Sequence, residues 1–265
     1  MTSTPQSDFL NELSLCANKV QGIINDSRYT TRFSPDDLRE AVLLYTKSGG
    51  KRLRPAILLW SCGAMGGDPD TALPAAAAVE LFHTWTLVHD DIIDRDDRRR
   101  GVATVHELFR QKASKRYSHL TKQEPAHYGV SVAVLAGDVQ HGWATTLLTD
   151  LSNRNGLDPA VTLHLIERLD NEVLNLLVSG ELLDIQFCQD PIMELSIDDI
   201  ETMLWKKTSV LYRYCSEAGA LIGLNRIDTD HHHVKALVEF SSLCGTAFQP
   251  QHDIIGVLCT PALPG

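Results

Sequence analysis

Residues 87–101 join the apolar end of a predicted helix to a dense block of charged side chains. Asp90 and Asp94 are four positions apart, so they lie one turn apart on one helix face, and His83 lies near the same face. Two carboxylates about 6 Å apart repel each other by about 3 kcal/mol at an effective dielectric constant of about 20, so the pair favours a bound cation. Oxygen ligands suit Mg²⁺, which keeps several waters and accepts substrate phosphates as further ligands. The spacing predicts a magnesium site at the end of this helix.

A solvent-exposed helix end is the alternative interpretation of the same residues. In that case Asp91 would pair with Arg95, and Asp94 would pair with Arg98, each four positions further along the chain. The two interpretations differ in whether the carboxylates face a ligand or the arginines of their own segment.

A basic loop precedes this helix, in residues 48–55 with the sequence SGGKRLRP. Two glycines free the backbone just before three cationic residues, Lys51, Arg52 and Arg54, and a new helix is predicted to begin near Pro55. A helix N-terminus adds partial positive charge and free N–H groups, which favour a bound anion. The loop is therefore predicted to bind an anionic ligand, and a basic turn on the surface is the alternative.

Length and composition indicate one large globular domain, or at most two small ones. The chain has 265 residues, of which 43% are hydrophobic and 22% are charged, enough for a substantial core. Its formal net charge of −10 argues against a protein that binds nucleic acid over a broad basic surface. The clustered arginines are therefore better explained by a local site.

The first residues and the cysteines suggest a cytoplasmic protein. Residues 1–8 are polar, and no run of about eighteen apolar residues occurs, so no stable membrane insertion is expected. The six cysteines are scattered without a C-x-x-C pair, which favours buried thiols in a reducing compartment over a disulfide framework or a zinc site.

Helical periodicity dominates the rest of the chain, and no segment alternates as a strand does, so the predicted class is all-α. Ser34 is the predicted cap of the second helix, Ser196 caps a later one, and Asp138 is a functional or capping candidate within an apolar helix. The predicted helices cover 9–24, 34–46, 57–65, 71–94, 129–148, 160–187, 196–224 and 232–253.

Two further groups of side chains could bind a ligand. Glu181 and Asp184 are three positions apart, so the long helix 160–187 presents two acids on one side. Three consecutive histidines, 231–233, cannot all face one ion on a helix, so a solvated helix start is favoured there over a metal site.

Six short motifs follow one another along the chain, and each is a weak signal alone. In order they are GGKRLRP at 49–55, His83, DDxxD at 90–94 with RRG at 99–101, GxxxD at 180–184, Lys207-Thr208 and Phe248-Gln249. Their order and spacing resemble those of the trans-isoprenyl diphosphate synthases, the polyprenyl synthetase family. The chain is most similar to the bacterial short-chain geranylgeranyl and farnesyl diphosphate synthases, and the resemblance extends from about Ser34 to the end.

The resemblance implies a single-domain helical bundle, residues 1–265, around a central cavity. It also implies a prenyltransferase that uses Mg²⁺ to condense isopentenyl diphosphate with an allylic diphosphate. Metal ions and cationic side chains would stabilise the departing pyrophosphate while the allylic carbocation forms. The expected product is a short all-trans prenyl diphosphate, geranylgeranyl first and farnesyl next, and a homodimer is expected.

Matching positions carry the family's ligand roles onto this chain. The residues expected to bind Mg²⁺ are Asp90, Asp94, Asp184 and Asp253. The residues assigned as catalytic, through contact with the allylic diphosphate, are Arg99, Lys207, Thr208 and Gln249. The residues expected to bind isopentenyl diphosphate are Lys51, Arg54, His83 and Arg100.

Trp85 lies five residues before Asp90, where an aromatic side chain resembles the tunnel floor of short-chain family members. Simple helical angles place Trp85 well round from Asp90, so packing in the core is the competing interpretation.

Two features depart from the family pattern. His252 occupies the position of the first aspartate in the second aspartate-rich motif, and a histidine lacks the negative charge that Mg²⁺ prefers. The chain ends at Gly265, where the family continues, so the C-terminal helices are expected to be missing. These departures keep a catalytically weak or non-catalytic subunit as an alternative. A class I terpene cyclase is less favoured, because a cyclase holds no second diphosphate for the basic loop.

Overall fold

The computed structural model describes residues 4–47, 49–117, 119, 121, 123–189 and 195–258, with the backbone alone for 248–258. The chain forms two compact units. The first consists of Met1–Ala56 and Leu73–Asp150, and the second consists of Ile57–Ala72 and Leu151–Gly265.

The described residues are almost entirely helical, which confirms the predicted all-α class. The helices of the first half are α1 Pro5–Ile24, α2 Ser27–Thr30, α3 Asp36–Leu43, α4 Leu53–Ala64, α5 Leu73–Ile93 and α6 Val105–Arg116. Those of the second half are α7 Glu124–Asn153, α8 Pro159–Glu167, α9 Leu174–Phe187, α10 Ile197–Leu204, α11 Val210–Leu224 and α12 His232–Leu258. Short 3₁₀ turns at Tyr45–Lys47 and Pro69–Ala72 precede α4 and α5.

A small β-hairpin follows α5, although no strand was predicted. Its strands are β1, Arg98–Arg99, and β2, Val102–Ala103, which pair antiparallel with Arg99 opposite Val102. The connecting residues Arg100 and Gly101 both have positive φ, 51° and 82°, as a two-residue type I′ turn requires. A two-residue strand is too short to produce an alternating pattern, which is why the sequence did not reveal it.

The predicted helix caps have different outcomes. Ser196 accepts a hydrogen bond from the backbone N–H of Asp199, and the Asp199 side chain bonds back to Ser196, which confirms this cap as a capping box. The predicted Ser34 cap is wrong, because α3 has Pro35 at its N-cap and no side-chain cap bond. Acidic residues in its first turn, Asp36 and Asp37, favour the helix start instead.

Helix α5 forms the centre of the first unit. The consecutive alanines Ala75–Ala78 are all fully buried. Helix α1, in which Val20 and Ile24 are fully buried, packs against α5. Side chains as small as alanine let neighbouring helices approach closely on several sides. Close packing therefore surrounds the first half of α5, and Asp90 lies in the last turn of the same helix.

Helix α11 forms the centre of the second unit, where nearly every residue is buried. Gly219 and Gly223 lie against the backbone of α4, since an added Cβ would lie 2.0 Å from the Leu58 oxygen and 2.5 Å from the Cys62 oxygen. The two glycines therefore set the close packing of α11 on this part of α4.

Two predicted long helices each contain a π-helical turn. Arg168–Val173 separates α8 from α9, and Trp205–Ser209 separates α10 from α11. A π turn shifts the following side chains around the helix axis and is frequent at functional sites. Hydrophobic periodicity does not locate such turns, so 160–187 and 196–224 were predicted as unbroken helices.

Candidate active site

The acid pair lies at the end of α5. Asp90 is half-buried in its last turn, and Asp94 is exposed in the turn that follows. The backbone N–H of Asp94 donates to the backbone carbonyl oxygen of Asp90, with 2.8 Å between nitrogen and oxygen. Among the described residues, no three His, Cys, Asp or Glu side chains are grouped so as to enclose a metal ion. Two carboxylates one helical turn apart fit Mg²⁺, because that ion keeps waters and takes further oxygens from a phosphate ligand.

Asp91 has a structural environment that differs from both of its neighbours in the motif. Its side chain is 1% exposed, and it accepts hydrogen bonds from Tyr45 Oη and from Arg99. The predicted pairing of Asp91 with Arg95 is therefore wrong, because the hairpin brings Arg99 to this carboxylate instead. Burial alone would lower the pKa of Arg99, but the hydrogen bond and charge of Asp91 raise it overall.

The hairpin and the basic loop meet beside α5. Arg100 donates a hydrogen bond to the Gly49 oxygen, and its guanidinium packs on Gly50, where an added Cβ would lie 3.1 Å from Nη1. Gly49 has a φ of 73°, which glycine adopts without strain. The structure thus brings Arg100 to the loop that carries Lys51 and Arg54.

His83 joins the same group of cations. Its Nε2 lies 3.2 Å from Arg54 Nη1. Burial lowers the pKa of His83 well below its ordinary value, and the charges of Arg54, Arg100 and Arg99 lower it further. His83 is therefore neutral at neutral pH, and it can act as a hydrogen-bond partner of a ligand without adding charge.

Arg52, which the sequence grouped with the loop cations, has a structural contact. It is buried, pairs with Glu80 at 2.9 Å, and donates to the Thr46 oxygen at 3.0 Å. Burial raises the pKa of Glu80, while the nearby charges of Arg52, Arg54 and Arg100 oppose that rise. Lys51 is exposed in the loop. Four of the predicted anion ligands, Lys51, Arg54, His83 and Arg100, thus lie on adjoining elements of the first unit.

The second unit contains its own charged group. Lys207 Nζ lies 2.5 Å from Asp184 and 2.9 Å from Glu181. Burial opposes protonation, but hydrogen bonds to Asp184 and Glu181 raise the pKa of Lys207. Lys207 lies in the π turn before α11, next to Thr208, whose side chain is buried. The sequence showed Glu181 and Asp184 on one helix side but did not predict that both would contact Lys207.

Gly180 makes this arrangement possible. A Cβ at that position would lie 2.5 Å from the backbone nitrogen of Lys207. Helix α9 therefore packs directly against the π turn, which places Lys207 within reach of two acids.

Trp85 packs among aromatic side chains of the first unit. Its ring centroid lies 5.1 Å from that of Phe82 and 5.1 Å from that of His141 on α7. These contacts favour the packing interpretation, and its role as a tunnel floor stays a prediction. Asp138 is exposed in the middle of α7, so it does not cap that helix.

Three predicted positions lie outside the described side chains. Gln249, His252 and Asp253 lie in the part of α12 for which the structure describes the backbone alone. Their roles stay predictions.

Within the described part of the chain, no helix combines the length and apolarity needed to cross a bilayer.

The chain is similar to known proteins over most of its length. The sequence model described as polyprenyl synthetase matches residues 35–264. The farnesyl diphosphate synthase of Geobacillus stearothermophilus is 34% identical over 235 residues, which are 87% of this chain and 70% of the relative. The geranylgeranyl diphosphate synthase of Methanosarcina mazei is 32% identical over 246 residues, 93% of this chain and 66% of the relative.

Two solved structures are similar to this chain over most of its length. The geranylgeranyl pyrophosphate synthetase of Pyrococcus horikoshii superposes with a TM-score of 0.76 at 29% identity, over 94% of this chain and 67% of that one. The geranylgeranyl pyrophosphate synthase of Corynebacterium glutamicum, complexed with isoprenyl diphosphate and magnesium, gives a TM-score of 0.78 at 26% identity, over 97% and 71%. The chain thus spans about two thirds of the length of these relatives.

Proposed function

The chain belongs to the polyprenyl synthetase family, and on that premise we propose that it condenses isopentenyl diphosphate with an allylic diphosphate. The product is a short all-trans prenyl diphosphate, geranylgeranyl first and farnesyl next, since the name geranylgeranyl diphosphate synthase recurs among similar relatives and a farnesyl diphosphate synthase is about equally similar. The observation that carries the proposal is the meeting of Arg54, His83 and Arg100 beside α5, the helix that carries the acid pair.

The loop and hairpin cations bind isopentenyl diphosphate in this proposal. Arg54 and Arg100 present planar guanidinium groups that match phosphate oxygens in pairs, and Lys51 adds a flexible charge. Neutral His83 contributes a hydrogen bond. The double bond of the bound substrate then attacks the allylic carbon as the carbon–oxygen bond to pyrophosphate breaks, and the released pyrophosphate accepts the proton lost afterwards.

Asp90 and Asp94 hold Mg²⁺ in this proposal. The ion would neutralise the departing pyrophosphate oxygens when it is bound. Lys207, Thr208, Arg99 and Gln249 are proposed to contact the allylic diphosphate, and Asp184 and Asp253 to bind further Mg²⁺. Arg99 can contribute only part of its guanidinium group to this contact, because its Nε and Nη2 atoms already contact Asp91.

A homodimer in the cytoplasm is proposed as the working state. An apolar stripe of Val178, Leu182 and Ile185 runs along one side of α9 and is 53%, 52% and 39% exposed. Exposed apolar stripes of this kind are typical of protein interfaces.

The test is incubation with labelled isopentenyl diphosphate, geranyl or farnesyl diphosphate and Mg²⁺, with the product length as the readout. Elongation to fifteen or twenty carbons is expected. A folded sample that binds isopentenyl diphosphate in a calorimeter but elongates no primer would support the non-catalytic subunit instead. Cyclic hydrocarbon formed from an allylic diphosphate alone would support a cyclase.

His252 provides a second test of the active chain. We expect His252→Asp to raise the elongation rate, because a carboxylate binds Mg²⁺ better than an imidazole does. The measurement is the rate at limiting Mg²⁺, and an unchanged or lower rate would show that His252 does not occupy a metal ligand's place.

A further inference from the structure

We propose that Asp91 is a positioning residue. It holds the β-hairpin and the 3₁₀ turn before the basic loop in fixed positions, so that Arg100 and Lys51 face one diphosphate. The inference rests on the proposed function for the identity of that diphosphate, isopentenyl diphosphate. Asp91 itself touches neither substrate nor metal in this assignment.

The Asp91 carboxylate has its hydrogen-bonding capacity occupied from two sides. Arg99 contacts it with Nε at 2.9 Å and 3.1 Å from the two oxygens, and with Nη2 at 2.6 Å from Oδ1. Tyr45 Oη donates to Oδ2. A carboxylate that is 1% exposed and bound in this way is held in one position.

The first side of the connection leads to the hairpin. Arg99 lies in β1, immediately before Arg100 at the turn, and β2 follows. Tyr45 Oη also accepts a hydrogen bond from the Val105 backbone N–H at 3.3 Å, at the start of α6. The hairpin is thereby fixed both at its first strand and directly after its second.

The second side leads to the basic loop. Tyr45 begins the 3₁₀ turn Tyr45–Lys47, and the next residue, Thr46, offers its carbonyl oxygen to Arg52. Arg100, at the hairpin turn, connects the hairpin directly to the basic loop through its hydrogen bond to the Gly49 oxygen. Loss of the Asp91 charge would release both segments, and the orientation of Arg100 toward the loop would be lost with them.

The kinetic test compares Asp91→Asn with Asp96→Asn, which changes an exposed acid in the same segment. Asp91→Asn is expected to raise the KM for isopentenyl diphosphate about tenfold, which corresponds to about 1.4 kcal/mol. The Mg²⁺ concentration for half-maximal rate is expected to change by less than about threefold, because Asp91 binds no metal in this assignment, and any change in the KM for the allylic substrate reports the release of Arg99. Asp96→Asn is expected to change none of these values.

A double-mutant cycle tests the route of the effect. If Asp91 acts through Arg100, then Asp91→Asn adds little to the KM increase already caused by Arg100→Ala. Additive effects of the two substitutions would overturn the proposal, as would an Asp91→Asn enzyme that changed only in stability or only in Mg²⁺ dependence.

Hydrogen exchange separates this inference from the proposed function. Tyr45→Phe removes one oxygen and keeps the ring, so it is the milder variant if Asp91→Asn fails to fold. Both variants are expected to accelerate amide exchange together in 98–105 and in 45–47 and 49–52, whereas Asp96→Asn is not. A wild-type chain that binds no isopentenyl diphosphate would refute the function alone, while faster exchange in only one of the segments would refute the positioning role.

Discussion

At the scale of single residues, neighbouring charges of one motif have different functions because burial differs. Asp90 and Asp94 lie half-buried or exposed at the end of α5, whereas Asp91 is buried between Tyr45 and Arg99. Among the loop cations, Arg52 is buried against Glu80 while Lys51 is exposed. Desolvation decides these roles, since a buried charge needs a fixed partner and an exposed one can exchange its waters for a ligand.

His83 leads to a prediction about pH. Its pKa is lowered in the folded chain, so below the ordinary value of about 6.5 the unfolded chain binds a proton that the folded chain does not. The free energy of unfolding should therefore fall as the pH drops from 7 toward 5, by at most about 1.4 kcal/mol per pH unit from this residue. Urea unfolding of wild type and His83→Gln at several pH values measures the effect.

In that experiment the wild type is expected to lose stability faster than His83→Gln as the pH falls. His232→Gln, which removes an exposed histidine, is the matched control. Parallel pH profiles for wild type and His83→Gln would contradict the neutral state of His83 in the folded chain.

At the scale of elements, close contacts between helices place the charged residues. Gly180 brings α9 against the π turn of Lys207, and the two-residue turn of the hairpin directs Arg100 to the basic loop. Helix α5 carries His83, Trp85 and Asp90, and Asp94 follows directly after it. An error in one of these packings would move several ligand groups together.

Gly180→Ala is predicted to destabilise the chain by about 1–3 kcal/mol, although alanine favours a helix, because the new methyl group meets the Lys207 backbone. Gly142→Ala on α7 is the matched control, since nothing lies within 4 Å of its added Cβ, and it should stabilise by up to about 1 kcal/mol. Thermal or urea unfolding measures both. Equal effects of the two substitutions would show that α9 does not pack closely on the π turn.

Trp85→Ala distinguishes the two roles of that side chain. As a tunnel floor, its removal should lengthen the product by at least one five-carbon unit. As a packing residue against Phe82 and His141, its removal should lower the free energy of unfolding by about 2 kcal/mol or more and leave product length unchanged. Chromatography of the products together with urea unfolding separates the outcomes.

At the scale of the whole molecule, the chain shares the family's fold over most of its own length and spans about two thirds of its relatives. Apolar side chains remain exposed on α9, which the proposed homodimer would cover. Val178→Glu is predicted to shift the chain toward the monomer in sedimentation, because it places a charge in the stripe.

Ile197→Glu on α10, at a residue that is 75% exposed, is the control and should leave the sedimentation profile unchanged. A Val178→Glu chain that sediments as the wild type does would place any interface elsewhere.

The sequence by itself determined the helical class, the order of the motifs and the membership of the family, because these follow from local periodicity and from residue types at fixed spacing. It also predicted that Arg54, His83 and Arg100 would meet. It could not predict the partner of Asp91, the π turn beneath Lys207 or the hairpin of Arg99. Those features depend on contacts between residues distant in the chain, such as Tyr45 with Asp91 or Gly180 with Lys207, and only tertiary packing brings such residues within bonding distance.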